Sequence, residues 1–278
     1  MRLRVKLKCV SSRAVIPINY NYQFSAAIYL LLRFGSEQFA KFLHDIGFQS
    51  NGKIFKLFVF GVEFEKTKID SGMIKLIEPN LYLTISSPLI DTFIQNFVIG
   101  SFEKQNVYIN YMNSSTKLDI TQIESLPEPQ FQNEMSFRLI SPMTLSTVTE
   151  RNGKLLPYYF RYDDEDLVRV LRSNLINKYK VIHKKDFEED NFQFDFDADE
   201  IKKKGGKVSK LITIAENTPQ QTKVKAIQCS FKIKANPELI KIGYDCGFGE
   251  KNSMGFGLAD TRHESQTRIP QLAPLAGN

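Results

Sequence analysis

The stretch of this 278-residue chain with the clearest chemical potential is Gly243-Tyr244-Asp245-Cys246-Gly247-Phe248-Gly249-Glu250-Lys251-Asn252-Ser253-Met254-Gly255-Phe256-Gly257. Its five glycines end in the pattern Gly-x-Gly, five residues, Gly-x-Gly. Glycine permits positive φ and close backbone approach, so successive amide N–H groups can be aimed at phosphate oxygens. The spacing excludes a dinucleotide-binding fingerprint, and no Gly-Lys-Ser/Thr follows at the distance a Walker loop needs. The plainer alternative is a tight bend beside a buried sheet edge. Metal chemistry is not signalled, because no pair or triad of His, Asp or Glu has recognisable ligand spacing. The acidic run Asp186–Glu200 reads as a solvated strand edge. Cys9, Cys229 and Cys246 lie far apart without a Cys-x-x-Cys, which signals neither a disulfide framework nor a thiolate site. No metal and no cofactor is expected, and a reducing, cytoplasmic setting is the simplest reading.

The elements that must position this block can be read from periodicity. Apolar residues at 42% and charged residues at 24% describe a globular chain, and the length fits two domains. No apolar run approaches the roughly 20 residues of a spanning helix. Leu3, Val5, Leu7 and Cys9 alternate with basic residues as a strand. Phe24, Ala27, Ile28 and Leu31 form a helical stripe over 21–34. Ser36 reads as the N-cap of a second helix with Phe39, Phe42, Leu43 and Ile46 on its apolar face and Gly47 past its end. Residues 53–64 read as one well-buried strand, 73–86 as two strand segments, 88–100 as a helix, and 105–111 and 117–124 as strands. Leu126-Pro127-Glu128-Pro129-Gln130 is the expected linker. A second unit repeats the order. A strand runs through Phe137, Leu139 and Ile140, a helix covers 164–180, and a strand carries Phe192, Phe194 and Phe196. Lys204-Gly205-Gly206-Lys207 reads as a hairpin signal leading into 208–214, with 223–234 a long strand. The predicted fold is α+β, two tandem ferredoxin-like (βαββαβ) domains at 1–125 and 131–260, with a tail at 261–278.

Charge is segregated along the chain. Residues 1–60 hold nine Lys/Arg against two Asp/Glu, and residues 201–278 hold thirteen against six. The middle is acidic, with ten against sixteen over residues 121–200. Folded together, the basic ends would make a surface suited to a polyanion.

Phe248-Gly249-Glu250-Lys251-Asn252-Ser253-Met254-Gly255-Phe256-Gly257 resembles the C-terminal glycine-rich signature of the CRISPR-associated endoribonucleases that cut repeat RNA, within the repeat-associated RNA-binding (RAMP) superfamily. The similarity extends over nearly the whole chain. Leu43-His44 followed by Lys56-Leu57-Phe58 falls in that family's catalytic stretch, and Phe137-Arg138-Leu139-Ile140-Ser141-Pro142 resembles the start of its second domain. The resemblance implies metal-independent cleavage of CRISPR repeat RNA, with an effector complex or a second copy of the chain as further possible partners. A non-catalytic RNA-binding subunit of a guide-RNA complex is the other reading it allows.

The archaeal-type members of that family use a tyrosine, a histidine and a lysine, and the matching positions are Tyr29, His44 and Lys56. Tyr29 sits one position off its helical stripe. His44 lies off the stripe of its helix, on the face of Glu37 and Lys41, while His183 and His263 lack matching context. Lys56 interrupts an apolar strand and must reach solvent, a carboxylate or an anionic ligand. Lys53 is the substitute if the register differs. These side chains suit a reaction in which the RNA 2′-hydroxyl attacks the adjacent phosphate, giving 2′,3′-cyclic phosphate and 5′-hydroxyl ends. Histidine transfers protons near neutral pH, tyrosine can be the complementary group, and lysine can hold the phosphorane charge. Which of His44 and Tyr29 is acid and which base stays open. RNA contacts are expected from Lys202, Lys203, Lys204, Lys207 and Lys210, and from Gly249, Lys251, Asn252 and Ser253 in the loop.

Overall fold

A computed structural model describes residues 1–11, 14–151, 153–188 and 191–261. Apart from Thr261, the expected tail lies outside the described residues, as does His263. In the first unit, β1 (Arg2–Cys9) leads through the short β2 (Val15–Pro17) to α1 (Asn21–Gly35). Next come α2 (Glu37–Lys41), a π-helical turn (Phe42–Ile46), the hairpin of β3 (Phe48–Ser50) and β4 (Lys53–Phe55), and β5 (Val59–Phe64). The small strands β6 (Thr67–Asp70) and β7 (Met73–Leu76) precede β8 (Asn80–Ser86). A second π-helical turn (Ile90–Ile94) opens α3 (Gln95–Lys104), and β9 (Asn106–Tyr111) and β10 (Ser114–Leu126) close the unit. The main sheet runs β5-β8-β1-β10-β9, with every neighbouring pair antiparallel. Without the extra edge strand β9 this is the ferredoxin-like order.

The second unit repeats it. Its core elements are β11 (Glu134–Leu139), α4 (Leu167–His183), β14 (Gln193–Phe196), β17 (Phe231–Lys234), α6 (Pro237–Cys246) and β18 (Ala259–Thr261). They form a sheet in the order β14-β17-β11-β18. Inserted into this frame are the hairpin β12 (Ser146–Arg151)–β13 (Lys154–Tyr159), the short helix α5 (Ala198–Lys203), and the hairpin β15 (Ser209–Ile214)–β16 (Thr222–Ile227). The chain is thus two tandem ferredoxin-like units, as the repeated order of elements predicts. Among the described residues, no helix is long and apolar enough to cross a membrane.

Four local expectations are corrected. Residues 53–64 are not one strand. The chain leaves β4 at Lys56, Leu57 takes a left-handed φ of 52°, and β5 starts at Val59. Phe55 and Leu57 bury against Cys246 of the second unit while Phe58 and Phe60 bury in the first unit's core, so one apolar run serves two cores. The Lys204–Lys207 signal is not a hairpin turn. Lys202 and Lys203 end α5, Lys204 caps it, and Gly205 and Gly206 carry the chain away with φ of 56° and 76°. The run 223–234 divides between β16 and β17, which belong to different sheets. Ile46, expected on a buried stripe, is 54% exposed because the π-helical turn rotates it outward.

Both units contribute to one polar seam. The Arg2 guanidinium, 2% exposed, donates to the carbonyls of Ala259 (2.9 Å) and Tyr244 (2.7 Å) and lies 3.5 Å from the Tyr244 ring centroid. Arg138 reaches Glu63 at 3.3 Å, and Asn19 accepts the Thr213 amide at 3.1 Å. A buried cation with two carbonyls and a ring face cannot be removed without orphaning its acceptors. Arg2→Leu is therefore expected to lower stability by about 2–4 kcal/mol in urea unfolding, with the transition broadening or splitting as the units uncouple.

Candidate functional site

The glycine block folds as the end of α6 and a loop that closes through a 3-10 turn at Asn252–Met254. Its glycines are sterically required. A Cβ on Gly249 (φ 81°) would sit 2.4 Å from the Thr144 carbonyl oxygen, and one on Gly257 (φ 80°) only 1.9 Å from that of Phe248. Beneath the loop lies Lys178 of α4, 2% exposed, whose Nζ donates to the carbonyls of Gly247 (2.6 Å) and Gly249 (2.8 Å) and to Asn252 Oδ1 (2.8 Å). Three acceptors match the three N–H bonds of an ammonium. Burial pushes this amine down to about 8. The Asn252 amide nitrogen in turn donates to the Phe248 and Phe256 carbonyls, so this side chain braces the loop from within.

The upper face of the loop rests on α1. Asn21 donates to the Met254 carbonyl at 2.8 Å and Ser25 to that of Ser253 at 2.8 Å. One turn further along the same face is Tyr29, half-buried, with its phenol beside Ser253. Spacing of four residues puts 21, 25 and 29 in a row. Burial raises the Tyr29 phenol well above its ordinary value, and Ser253 only partly offsets this.

Tyr29, His44 and Lys56 are brought together. The Tyr29 and His44 rings meet edge to face with centroids 5.3 Å apart, and Lys56 Nζ donates to the His44 carbonyl at 2.7 Å. His44 projects from the π-helical turn with its side chain 69% exposed, and its Nδ1 lies 2.8 Å from Asp45 Oδ1. Burial lowers the Lys56 amine, with the Asp45 charge opposing. Lys53 is placed differently. Its Nζ pairs with Glu250 of the loop at 3.3 Å, and Glu250 also accepts from Ser146 at 2.7 Å. Lys56, and not Lys53, therefore stands beside His44.

The expected RNA-contact residues fall into two groups. Lys202 and Lys203 on α5, Lys207 in the connection after it and Lys210 in β15 are exposed, while Lys204 is held by Glu200 at 2.6 Å. Lys251 is exposed at the tip of the loop in a left-handed conformation, and Ser253 is half-buried against α1. Two residues of this region went unread in the sequence. Lys178 has a signal: with Asn174 it continues the buried Leu167 and Leu171 stripe at helical spacing, where a polar side chain needs a partner. Asp45 has none beyond adjacency to His44.

Comparison with known proteins sharpens this geometry. The family described as "CRISPR associated protein Cas6, C-terminal" matches residues 126–261. The CRISPR-associated endoribonuclease Cas6 1 of Methanocaldococcus jannaschii is 30% identical over 265 residues, covering 93% of this chain and 91% of the relative. The chain belongs to the Cas6 family. A solved structure of a "CRISPR associated protein Cas6" superposes with a TM-score of 0.72 at 29% identity, covering 95% of this chain and 99% of the other. A structure described as "An RAMP protein binding different RNA substrates" has the same fold at 21% identity, with a TM-score of 0.77 over 95% of this chain and all of that one. In this Cas6-family chain, the loop on which the family resemblance rested is thus anchored by a buried lysine and touches Tyr29. Lys178→Met leaves three oxygens without their donor. It is expected to cost about 2–4 kcal/mol in urea unfolding and to increase hydrogen exchange in residues 247–257 more than in β1 or β8.

Proposed function

We propose that this chain is a metal-independent endoribonuclease that cuts CRISPR precursor RNA within its repeats. The observation that carries the reading is the convergence of Tyr29, His44 and Lys56 beside the glycine-rich loop, in a member of the Cas6 family. RNA brings its own nucleophile, the 2′-hydroxyl next to the scissile phosphate, so the protein has three tasks. A proton must leave that hydroxyl, a proton must reach the departing 5′-oxygen, and the phosphorane needs a nearby cation. His44, with an exposed imidazole, and Tyr29, whose buried phenol is protonated in the free protein, serve the first two. Lys56 serves the third by swinging from the His44 carbonyl to the phosphate. Exposed Lys202, Lys203, Lys207, Lys210 and Lys251 support backbone contacts that give affinity without sequence choice.

The direct test incubates the protein with end-labelled repeat RNA in excess EDTA, beside RNA lacking the 2′-hydroxyl at the cut. One cut that persists in EDTA, leaves a 2′,3′-cyclic phosphate and vanishes with the deoxy substrate is the expected result. Tight binding without cleavage would instead make the chain a guide-RNA-binding subunit. His44→Ala should lower the single-turnover rate by about 10²–10⁴ while RNA affinity stays within a few-fold. Joint loss of binding and cutting would make His44 structural. Replacing Lys202, Lys203 and Lys207 by alanine should weaken binding and flatten its salt dependence, by about 0.7 in slope for each phosphate that is no longer neutralised. An unchanged slope removes α5 and the connection after it from the RNA path.

A further inference from the structure

We propose that Asp45 is a positioning residue that fixes the proton of the His44 imidazole on Nδ1 and so makes Nε2 the base that accepts the 2′-hydroxyl proton. The inference rests on the reading that His44 serves the cleavage reaction, and it assigns a role which that reading left open. Asp45 Oδ1 lies 2.8 Å from His44 Nδ1. A carboxylate has no hydrogen to donate, so Nδ1 must carry the proton of this bond and the lone pair of the neutral ring belongs to Nε2. The Asp45 carboxyl is held below its ordinary value, chiefly by this hydrogen bond, so it stays ionised at neutral pH.

The rest of the ring's surroundings agree. In the free protein Lys56 donates to the His44 carbonyl at 2.7 Å, and the Tyr29 ring stands edge-on to the imidazole at 85° and limits its rotation whether or not Lys56 has moved to the phosphate. The charged and titratable groups around the pair are Lys41 of α2, Lys56 after β4, and Tyr29 of α1. Both lysines are cations, so Asp45 is the anion of the group, and it stabilises the imidazolium once His44 has taken a proton. Tyr29 is the poorer base of the two, because burial raises its phenol well above the ordinary value, an effect that Ser253 only partly offsets.

The step balances without any further reagent. The O2′–H bond breaks and its proton goes to Nε2. O2′ bonds to phosphorus, the P–O5′ bond breaks, and the 5′-oxygen takes the Tyr29 proton. Tyr29 recovers a proton from the His44 imidazolium through solvent. One proton has then passed from the 2′-oxygen to the 5′-oxygen.

The test compares Asp45→Asn and Asp45→Ala with the wild type and with His44→Ala. Single-turnover cleavage of end-labelled repeat RNA is followed against pH, and the imidazole ¹⁵N shifts of the free proteins are recorded. The chain has three histidines, and the His44→Ala spectrum identifies the His44 signals. Wild-type His44 is expected in the Nδ1–H form, and Asp45→Ala to shift it toward the Nε2–H form with about a tenfold loss in rate. Asp45→Asn retains an acceptor but no charge, so it should lose less rate and move the acidic limb of the profile to lower pH. A merely structural Asp45 would lower the rate with limb and tautomer unchanged, and that outcome overturns the proposal. Movement of the alkaline limb alone makes His44 the acid and also overturns it. If His44→Ala is inactive while both Asp45 variants behave as wild type, only this inference falls. Wild-type cleavage by His44→Ala removes the catalytic reading and the inference together.

Discussion

One buried ammonium organises the region on which everything else depends. Lys178 takes the carbonyls of Gly247 and Gly249 and the side chain of Asn252 into a single coordination shell, and it does so from a helix of the same unit. Those three oxygens lie on separate parts of a loop whose glycines adopt conformations closed to other residues. Without a shared donor, the buried carbonyls of Gly247 and Gly249 would lose their hydrogen-bond partner. The ammonium therefore does what a regular ladder of hydrogen bonds does in a sheet, at a place where the chain follows no regular path.

That anchored loop becomes a surface on which the first unit is seated. Asn21, Ser25 and Tyr29 meet it along one helical row, and Lys53 crosses to Glu250 on the other side. The proposed catalytic side chains Tyr29, His44 and Lys56 all belong to the first unit, where Tyr29 packs against Phe58 and His44, while its helix is seated on the loop of the second. Arg2 closes the far end of the same seam by binding carbonyls of Tyr244 and Ala259. The two units are thereby held in a fixed relation by polar groups largely withdrawn from solvent, where breaking one bond leaves the partner costly to rehydrate.

Periodicity in the sequence revealed the parts whose burial is simple. Phe24, Ala27, Ile28 and Leu31 are buried on α1 at the predicted spacing, and alternation along β1 buries Leu3, Val5, Leu7 and Cys9. The doubled βαββαβ order was legible because each core element faces a single sheet. Legibility failed where one run faces two places at once. Residues 53–64 look uniformly apolar, yet Phe55 and Leu57 go to the seam while Phe58 and Phe60 go to the first core. Lys178 sits in a helix with several other basic residues, and its burial follows from a loop some seventy positions away, which no local pattern encodes. Tyr29, His44 and Lys56 were found through resemblance, because as isolated residue types they are common on any surface. Their proximity depends on turns that periodicity does not resolve.

The π-helical turn at Phe42–Ile46 ties the placement of His44 to backbone winding as well as to side-chain identity. Such a turn holds more residues than an α-helical turn, and removing one residue from it would wind the segment as ordinary helix. Each residue of an α-helix advances about 100° around the axis, so that deletion would swing His44 away from the Tyr29 ring with every side chain of the site still encoded. Length in this segment is therefore under tighter constraint than composition. A one-codon deletion between positions 37 and 46 would do more damage to the site than most substitutions there.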